Sequence, residues 1–577
     1  LRHDLETEST FRTWDGGELY YRAWASGGED GKALILLHRG HEHSGRLRSL
    51  YSELSLDGFS GFAFDLRGHG RSPGDRGFAD SYDVWVKDLN SFINHIRDRH
   101  GIAPENMAIV ANSVGAVSAL TWVHDYGAHV RCMVLAAPAL RIRLYVPLAV
   151  PLLRLLLRIN KKAMVRSYIR AAMLTHDAQE ARAYDADKLI TRIISVGVLL
   201  GLHDTATRIL SDAGAVTAPT QIFSAGSDYV VENRSHGRLF AAISAARKEH
   251  HVFPGMYHGI FFEKNRGEAV AKARRFIQSC FDEEPGQDVL QADRQGYTRR
   301  EYDRLRAPAS MPVTAFFGLQ ALAMRTLGRL SHGIRLGLET GFNSGDTLDY
   351  VYRNQPSGVT WLGRLIDKVY LNSIGWRGIK LRKESLKQWI SVAAARLRNE
   401  GREARIMDVA AGHGRYLLEI KRVLGDRVKV LLRDIDPANL ESCRLLAAQW
   451  GLGGIEFEIG DAFDEKSYAC LPFRPNITVV SGLYELISDN TRVLSSMRAI
   501  AGSLEPGGYL ICTGQPWHPQ IEMIARTLTN RDGTPWVMRR RSQSELNALL
   551  AEAGLQRVDS SIDAYGIFTV TLTRKVG

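Results

Sequence analysis

Two clusters of residues in this chain have the types and spacing to do chemistry. The first is Ala111-Asn112-Ser113-Val114-Gly115, set between the apolar run MAIVAN and a helix-like stretch. Small residues around a serine permit a strand-to-helix turn too tight for large side chains, and such a turn exposes the hydroxyl. The serine becomes a nucleophile when a base takes its proton. Asp228 in GSDYVV and His258 in GMYHGIF follow in the order that such a turn requires. His258 is expected as general base on Ser113, with Asp228 holding the imidazole in one tautomer. The Val114 N–H, at the helix start, is an expected oxyanion donor.

The second cluster is RIMDVAAGHGRYLLEI, which reads as strand, small-residue turn and helix. Small residues let a backbone approach a ligand beside a helix N-terminus. A dinucleotide site would use GxGxxG to hold pyrophosphate. Here Gly412 and Gly414 stand with Ala410, and Asp408 closes the strand. That carboxylate disfavours a phosphate ligand and favours a cationic one.

Elements to position both clusters are present. The 577 residues are too many for one ordinary domain, and 45% hydrophobic against 24% charged content is the balance of a folded chain. The runs at 33–38, 61–65, 107–112, 132–138 and 220–226 are almost wholly apolar, as strands covered on both faces are. Residues 81–100 read as a helix between them. The fold class is α/β. We expect a first domain over 1–283, with an insertion at about 139–215, and a linker over the polar stretch 284–310. A helical cap follows over 311–400, ahead of a second α/β domain over 401–577. Within it, 311–340 reads as an amphipathic helix, with Phe316, Phe317, Leu319, Leu322 and Leu327 among basic positions. That helix is expected to pack on the second domain in preference to a membrane contact.

The first half resembles the monoacylglycerol lipase and lysophospholipase branch of the α/β-hydrolases, a serine aminopeptidase S33-type group. The matching pieces are TFRTWDGGELYYRAW, HRGHEHSGR, FAFDLRGHGRS, ANSVG, GSDYVV and GMYHGIF. The resemblance implies an α/β-hydrolase fold with a lid, a triad of Ser113, Asp228 and His258, and oxyanion N–H groups from Gly40 and Val114. His38-Arg39 stands where the family has His-Gly, putting a cation beside the expected oxyanion hole. The insertion opens with LRIRLYVPLAVPLLRLLLRINKK, apolar and basic together. That pattern suits a lipid interface, and equally a lid packed on its own domain.

The second half resembles the class I methyltransferases, whose Rossmann-like fold takes S-adenosylmethionine as cofactor. The carry-over gives Asp408, Ala410, Gly412 and Gly414 in the glycine loop, Asp434 on the ribose, and Asp461 and Ala462 at the adenine. Tyr484, Glu485 and His518 are candidates on the methyl-acceptor side. SGLYELI stands where methyltransferases acting on base amino groups carry Asn/Asp-Pro-Pro-aromatic. SGDTLDYVYRNQPSG (344–358) reads either as a cover over the acceptor or as a packed loop. As a whole the chain is similar to bacterial fusions of an α/β-hydrolase with a methyltransferase.

The leading expectation is therefore a bifunctional enzyme, a serine ester hydrolase joined to an S-adenosylmethionine-dependent methyltransferase, acting on a lipid or other small ester. Two alternatives stand beside it. In one the front domain is an acyltransferase or substrate-binding module. In the other the chain is an RNA methyltransferase with an accessory domain, motivated by a net charge of +11. The charge is spread out, and its densest cluster, Arg539-Arg540-Arg541, is too short for a nucleic-acid tract. Nucleic acid is not expected as a partner. Five cysteines without a CxxC pair suggest neither a zinc site nor a disulfide scaffold, and Cys132, Cys443 and Cys512 read as buried thiols. The polar start LRHDLETEST does not resemble a signal peptide, and no apolar run has the length of a membrane span. The expected location is cytoplasmic, with peripheral contact at the inner membrane surface through the lid as a further possibility.

Overall fold

The computed structural model describes residues 6–25, 31–283 and 289–576. The chain divides into two compact units, residues 1–287 without 125–127, and 288–577 with those three.

Among the described residues, ten strands belong to the first unit. They are β1 (Glu6–Arg12), β2 (Glu18–Trp24), β3 (Lys32–Leu37), β4 (Phe59–Phe64), β5 (Met107–Asn112), β6 (Cys132–Ala136), β7 (Met164–Arg166), β8 (Ile193–Ser195), β9 (Thr220–Ala225) and β10 (Lys248–Phe253). Eight of them form one sheet in the order β1-β2-β4-β3-β5-β6-β9-β10. From β4 to β10 the pairing is parallel; β1 and β2 join antiparallel at one edge. All six residues of β5 and of β9 are buried, which is why β5 reads as an almost wholly apolar run; β9 buries Thr220, Gln221 and Ser224 beside Ile222 and Phe223. Edge strand β1 left no such trace, because ETESTFR exposes most of its side chains.

Helix α1 (Tyr82–His100) turns Trp85, Leu89, Phe92, Ile93 and Ile96 inward. It stops at Gly101, whose φ of +69° suits glycine and whose N–H reaches the Arg97 carbonyl at 3.0 Å. Helix α2 (Val114–Tyr126) leaves β5 directly after Ser113. The insertion holds the small β7–β8 pair, α3 (Ala149–Ile159) and α4 (Val196–Ser211). Val150, Leu153 and Leu157 of α3 pack toward Val196 and Leu200, while Leu148, Leu152, Leu155 and Ile159 face outward.

The second unit begins with helices: α5 (Tyr297–Arg306), α6 (Met311–Arg325), α7 (His332–Thr340), α8 (Gly345–Arg353), α9 (Trp361–Leu371) and α10 (Ile374–Asn399). Of the expected linker, 284–288 lie outside the described residues, and the remainder is not a linker. Leu305 of α5 packs on Ile521 and Ala525, and Asp293 accepts the Asn490 N–H at 2.8 Å. Its polarity misled because its charges have partners, Arg540 bonding Glu301 among them. Residues 311–340 are not one amphipathic helix either; they break into α6, a 3-10 turn at Leu327–Leu330 and α7, and α6 buries no residue. Residues 344–358, read as either a cover over the acceptor or a packed loop, are largely α8, capped by Ser344 Oγ, which accepts the Thr347 N–H at 3.2 Å.

Seven strands follow: β11 (Ala404–Asp408), β12 (Val428–Asp434), β13 (Ile455–Ile459), β14 (Ile477–Val480), β15 (Tyr509–Gly514), β16 (Leu555–Ile562) and β17 (Thr569–Lys575). They lie in the order β13-β12-β11-β14-β15-β17-β16, with β17 antiparallel to both neighbours and the other pairs parallel. This is a Rossmann-like α/β sheet. Chain direction diverges at β11 and β14, and the crevice beyond such a point is where these sheets bind ligands. Helix α11 (Arg415–Leu424) follows the glycine loop of β11. Arg539, Arg540 and Arg541 are all buried, with Arg539 held by Asn490 and Thr298 and Arg541 by the Tyr484 carbonyl, so this basic cluster is internal.

Candidate active sites in the two units

Ser113 stands at the end of β5 with φ of +52°, a left-handed conformation that a serine adopts only under constraint. Gly115 makes the turn sterically feasible: a Cβ there would lie 2.8 Å from the His38 carbonyl oxygen. The loop after β9 delivers Asp228 and the loop after β10 delivers His258. Ser113 Oγ and His258 Nε2 are 2.8 Å apart, and His258 Nδ1 is 2.9 Å from Asp228 Oδ2. The other Asp228 oxygen accepts the N–H groups of Val230 (2.7 Å) and Val231 (2.9 Å). Burial pushes the Asp228 carboxyl up, but His258 and the two backbone donors outweigh it and hold it below the usual value. The order of elements thus joins three residues that span 145 positions in sequence into one hydrogen-bonded line.

Gly40 and Val114 adjoin one another beside Ser113: a Cβ on Gly40 would touch Val114 Cγ2 at 3.2 Å. With Ser113 and His258 they line a cavity of about 360 Å³, walled by Leu144, Leu152, Leu153, Ile194 and Leu202 of the insertion. Arg39 belongs to the same wall but is tied down. It donates to Glu42 through Nη2 at 2.5 Å and Nε at 3.1 Å, and its guanidinium lies 4.4 Å from the Phe262 ring centre. Burial raises the Glu42 carboxyl, and the Arg39 and Arg46 charges bring it back below its ordinary value. Gly259 leaves room for this arginine, since a Cβ there would fall 2.2 Å from Arg39 Nη1.

In the second unit, Ala410, Gly412 and Gly414 line a small cleft of about 50 Å³ with Gly345, Tyr352, Arg382 and Ser481. Gly412 and Gly414 have φ of +53° and +59°. Asp408 does not line that cleft. It is fully buried and accepts the Tyr416 hydroxyl and, at 3.3 Å, the Ala410 N–H. Burial pushes its carboxyl up to about 7 despite those donors. Asp408 therefore braces the glycine loop from beneath. Asp434 accepts the Gly412 N–H at 2.8 Å, the Asp436 N–H at 2.9 Å and Asn439 Nδ2 at 3.1 Å. Asp461 accepts the Phe463 N–H at 2.9 Å, and Ala462 is buried in the core beside Tyr484.

A larger cavity of about 320 Å³ adjoins the cleft, since Leu348 and Arg382 line both. Glu485 and His518 line it; Tyr484 does not. The Tyr484 ring belongs to the core, with its hydroxyl 3.1 Å from Ser496 Oγ, because the 3-10 turn at Tyr484–Leu486 points successive residues in different directions. Burial, with the Arg540 charge, drops the His518 imidazole to about 4, and its Nδ1 accepts the Gln520 N–H at 3.1 Å. It is therefore a neutral ring whose proton sits on Nε2.

One residue escaped the sequence reading. Arg382 is buried and forms no hydrogen bond or ion pair among the described residues, its Nε unpartnered; the Phe568 ring centre lies 5.0 Å from its guanidinium. Its signal was present: Ile379, Arg382, Leu386, Trp389 and Ala393 form one inward stripe of α10, and an arginine there is out of place. Glu485 Oε2 and Gln515 Nε2 in the same cavity also lack partners among the described residues.

The comparisons agree with this division. The family described as "Putative methyltransferase" matches residues 273–575, and the family described as "Serine aminopeptidase, S33" matches residues 28–265. The "Uncharacterized protein YnbC" of Escherichia coli K12 is 42% identical over 574 residues, 98% of each chain. The chain belongs to this methyltransferase family. It carries an S33-type hydrolase domain ahead of the methyltransferase domain. The "Monoacylglycerol lipase" of Mycolicibacterium smegmatis is 25% identical over 44% of this chain and 91% of its own length. A crystal structure of Paleococcus ferrophilus monoacylglycerol lipase covers 45% of this chain and 99% of its own, at 25% identity and a TM-score of 0.42.

Proposed function

We propose that the chain is a bifunctional enzyme: a serine ester hydrolase for lipid-like esters and an S-adenosylmethionine-dependent methyltransferase. The hydrogen-bonded line Asp228–His258–Ser113, open to an apolar cavity, carries the first half. Ser113 Oγ attacks the ester carbonyl as His258 Nε2 takes its proton. Asp228 stabilises the imidazolium, and the N–H groups of Gly40 and Val114 receive the oxyanion. His258 then returns the proton to the departing alcohol, and water repeats the sequence to release the acid. The apolar wall suits an acyl chain, and the relative in Mycolicibacterium smegmatis bears the name of a lipase. Outward-facing Leu152, Leu155 and Ile159 on α3, with Arg158 and Lys161 nearby, support a peripheral membrane contact through the lid. A fluorophosphonate probe should label wild type and leave Ser113→Ala unlabelled. Equal labelling of both would remove Ser113 from the reaction.

For the second half, the residues present fit S-adenosylmethionine. Space over Gly412 is open, with nothing nearer its Cβ direction than Gly345 Cα at 3.7 Å. The orphaned Arg382 suits the carboxylate of the methionine moiety. Asp434 lies at the strand end next to the loop, where the ribose hydroxyls are expected, and Asp461 and Ala462 follow at the adenine position. When bound, the cofactor supplies an electrophilic methyl group. The protein's part is to hold an acceptor in line with it. Glu485, with one carboxylate oxygen unpartnered, is placed to take a proton from an acceptor that must lose one, and His518 Nε2–H to orient it. Titration calorimetry with S-adenosylmethionine checks this, since Asp434→Ala should abolish binding; unchanged affinity would remove Asp434 from the site. Cofactor supply and five unpaired cysteines support a cytoplasmic location.

A further inference from the structure

The apolar surface of the second unit is concentrated on two helices. Helix α6 buries none of its residues. Phe316 is 66% exposed, Leu319 69% and Leu322 57%, each three residues from the next. On α9, Trp361 is 74% exposed, Leu365 52% and Val369 68%, at helical spacings that put them on one face. The turn Leu327–Leu330 packs between the two helices: the Leu330 carbonyl accepts the Val359 N–H at 3.1 Å, just ahead of α9, and the turn follows α6 directly.

The charges on this surface have one sign. Residues 311–330 contain Arg325 and Arg329 and no acid. Residues 359–371 contain Arg364 and Lys368, both exposed, and a single acid, Asp367. Asp367 is fully buried, where it accepts Ser331 Oγ at 2.6 Å, the Gly333 N–H at 2.8 Å and the Ser357 N–H at 2.9 Å. No exposed carboxylate on either segment opposes the four cations.

Beneath this surface lies the cavity of about 320 Å³. Gln320 and Met324 of α6 and Ile366, Val369 and Tyr370 of α9 form part of its wall. Val369 is at once exposed and part of that wall, so the cavity reaches the surface on this face. Its interior meets the glycine-loop cleft at Leu348 and Arg382.

We propose that α6 and α9 dock the methyltransferase unit on an anionic phospholipid bilayer, and that the methyl acceptor is an apolar-chain amphiphile entering the cavity from that bilayer. The apolar side chains insert at the acyl boundary, and Arg325, Arg329, Arg364 and Lys368 meet the anionic headgroups. A patch of large apolar side chains this size needs a cover, and cations without acids select an anionic one. The acceptor class rests on the methyltransferase reading; the docking surface does not.

The test uses the full chain without cofactor, in flotation with vesicles of phosphatidylglycerol and phosphatidylcholine or phosphatidylcholine alone. To silence the lid, every protein carries Leu152→Glu and Leu155→Glu. This parent should float with the anionic vesicles, and Phe316→Glu with Leu319→Glu should lower its partition at least about tenfold. Phe316→Leu with Leu319→Met should preserve it, and calorimetric binding of S-adenosylmethionine should be the same in all three. Partition unchanged by the glutamates overturns the docking surface. So does a parent dimer in sedimentation equilibrium that the glutamates dissociate, for the face would then belong to a second copy. With labelled cofactor and lipid-extract vesicles, the transferred methyl should enter the organic phase; label only in water-soluble product overturns the acceptor class. Failed cofactor binding would count against the methyltransferase reading and leave the partition result standing.

Discussion

Ser113, His258 and Asp228 satisfy one another, whereas Arg382, Glu485 and Gln515 do not. The first site carries its own reacting groups, and the triad atoms already bond in the sequence in which a proton must move, although Arg39 Nη1 in the cavity wall has no partner among the described residues. The second keeps a buried cation, a carboxylate oxygen and an amide nitrogen without partners around one cavity. A buried polar group left unpaired costs free energy, and a buried charge costs more. Such atoms fit a site whose reactants arrive from outside, because the ligand completes the bonding. A nucleophilic enzyme is assembled before its substrate binds; a group-transfer enzyme is assembled by its substrates.

The largest expected effect tests the self-sufficient site. Ser113→Ala should reduce kcat/KM on short-chain p-nitrophenyl esters by about 10⁴-fold or more, the scale for losing a nucleophile from such a unit. A loss below tenfold would mean that the bonded line is not the catalytic one. Next comes the open site. Arg382→Met should weaken S-adenosylmethionine binding by about 100-fold, or roughly 2.7 kcal/mol, as expected for a charge-assisted contact. The same variant should unfold in urea no earlier than wild type without ligand, since it removes an unpaired buried charge. Both losing affinity and losing stability would make Arg382 a structural group and erase the contrast.

The smallest effect concerns the brace under the loop. Asp408 sits near 7 when folded because burial disfavours its charge, against an ordinary value of 3.8. Between those values the folded chain holds a proton that the unfolded chain has lost, so stability from this group falls as pH rises through the window. Asp408→Asn removes the titration. The stability of the variant relative to wild type should improve by about 2 kcal/mol between pH 5 and pH 8, read from urea midpoints. A pH-independent difference would show that Asp408 ionises outside that range.

Much of this was legible in the chain. β5 and β9 declare themselves because both faces are covered, and the two chemical clusters are local in sequence, each tied to a strand end. What was missed has physical reasons. Edge strand β1 faces solvent and lacks an apolar run. Arg382 lies 28 positions before Ala410, and only the packing of α10 brings it to the loop. Asp408 and Tyr484 were assigned to ligands by type and place, yet both side chains turn into the protein, a direction that sequence spacing does not specify. Helix α6 was expected to pack its apolar face, and instead it exposes it.

The burial of Arg539, Arg540 and Arg541 has a practical consequence. Three consecutive arginines form an ideal cutting site for trypsin, but in the folded unit each is enclosed and bonded. Cleavage there requires the surrounding structure to open, so its rate follows the fraction of molecules in the open form. The chain thus carries an internal gauge of the integrity of its second half. A fragment ending near residue 540 marks molecules that have opened, and a ligand that closes the unit should delay its appearance.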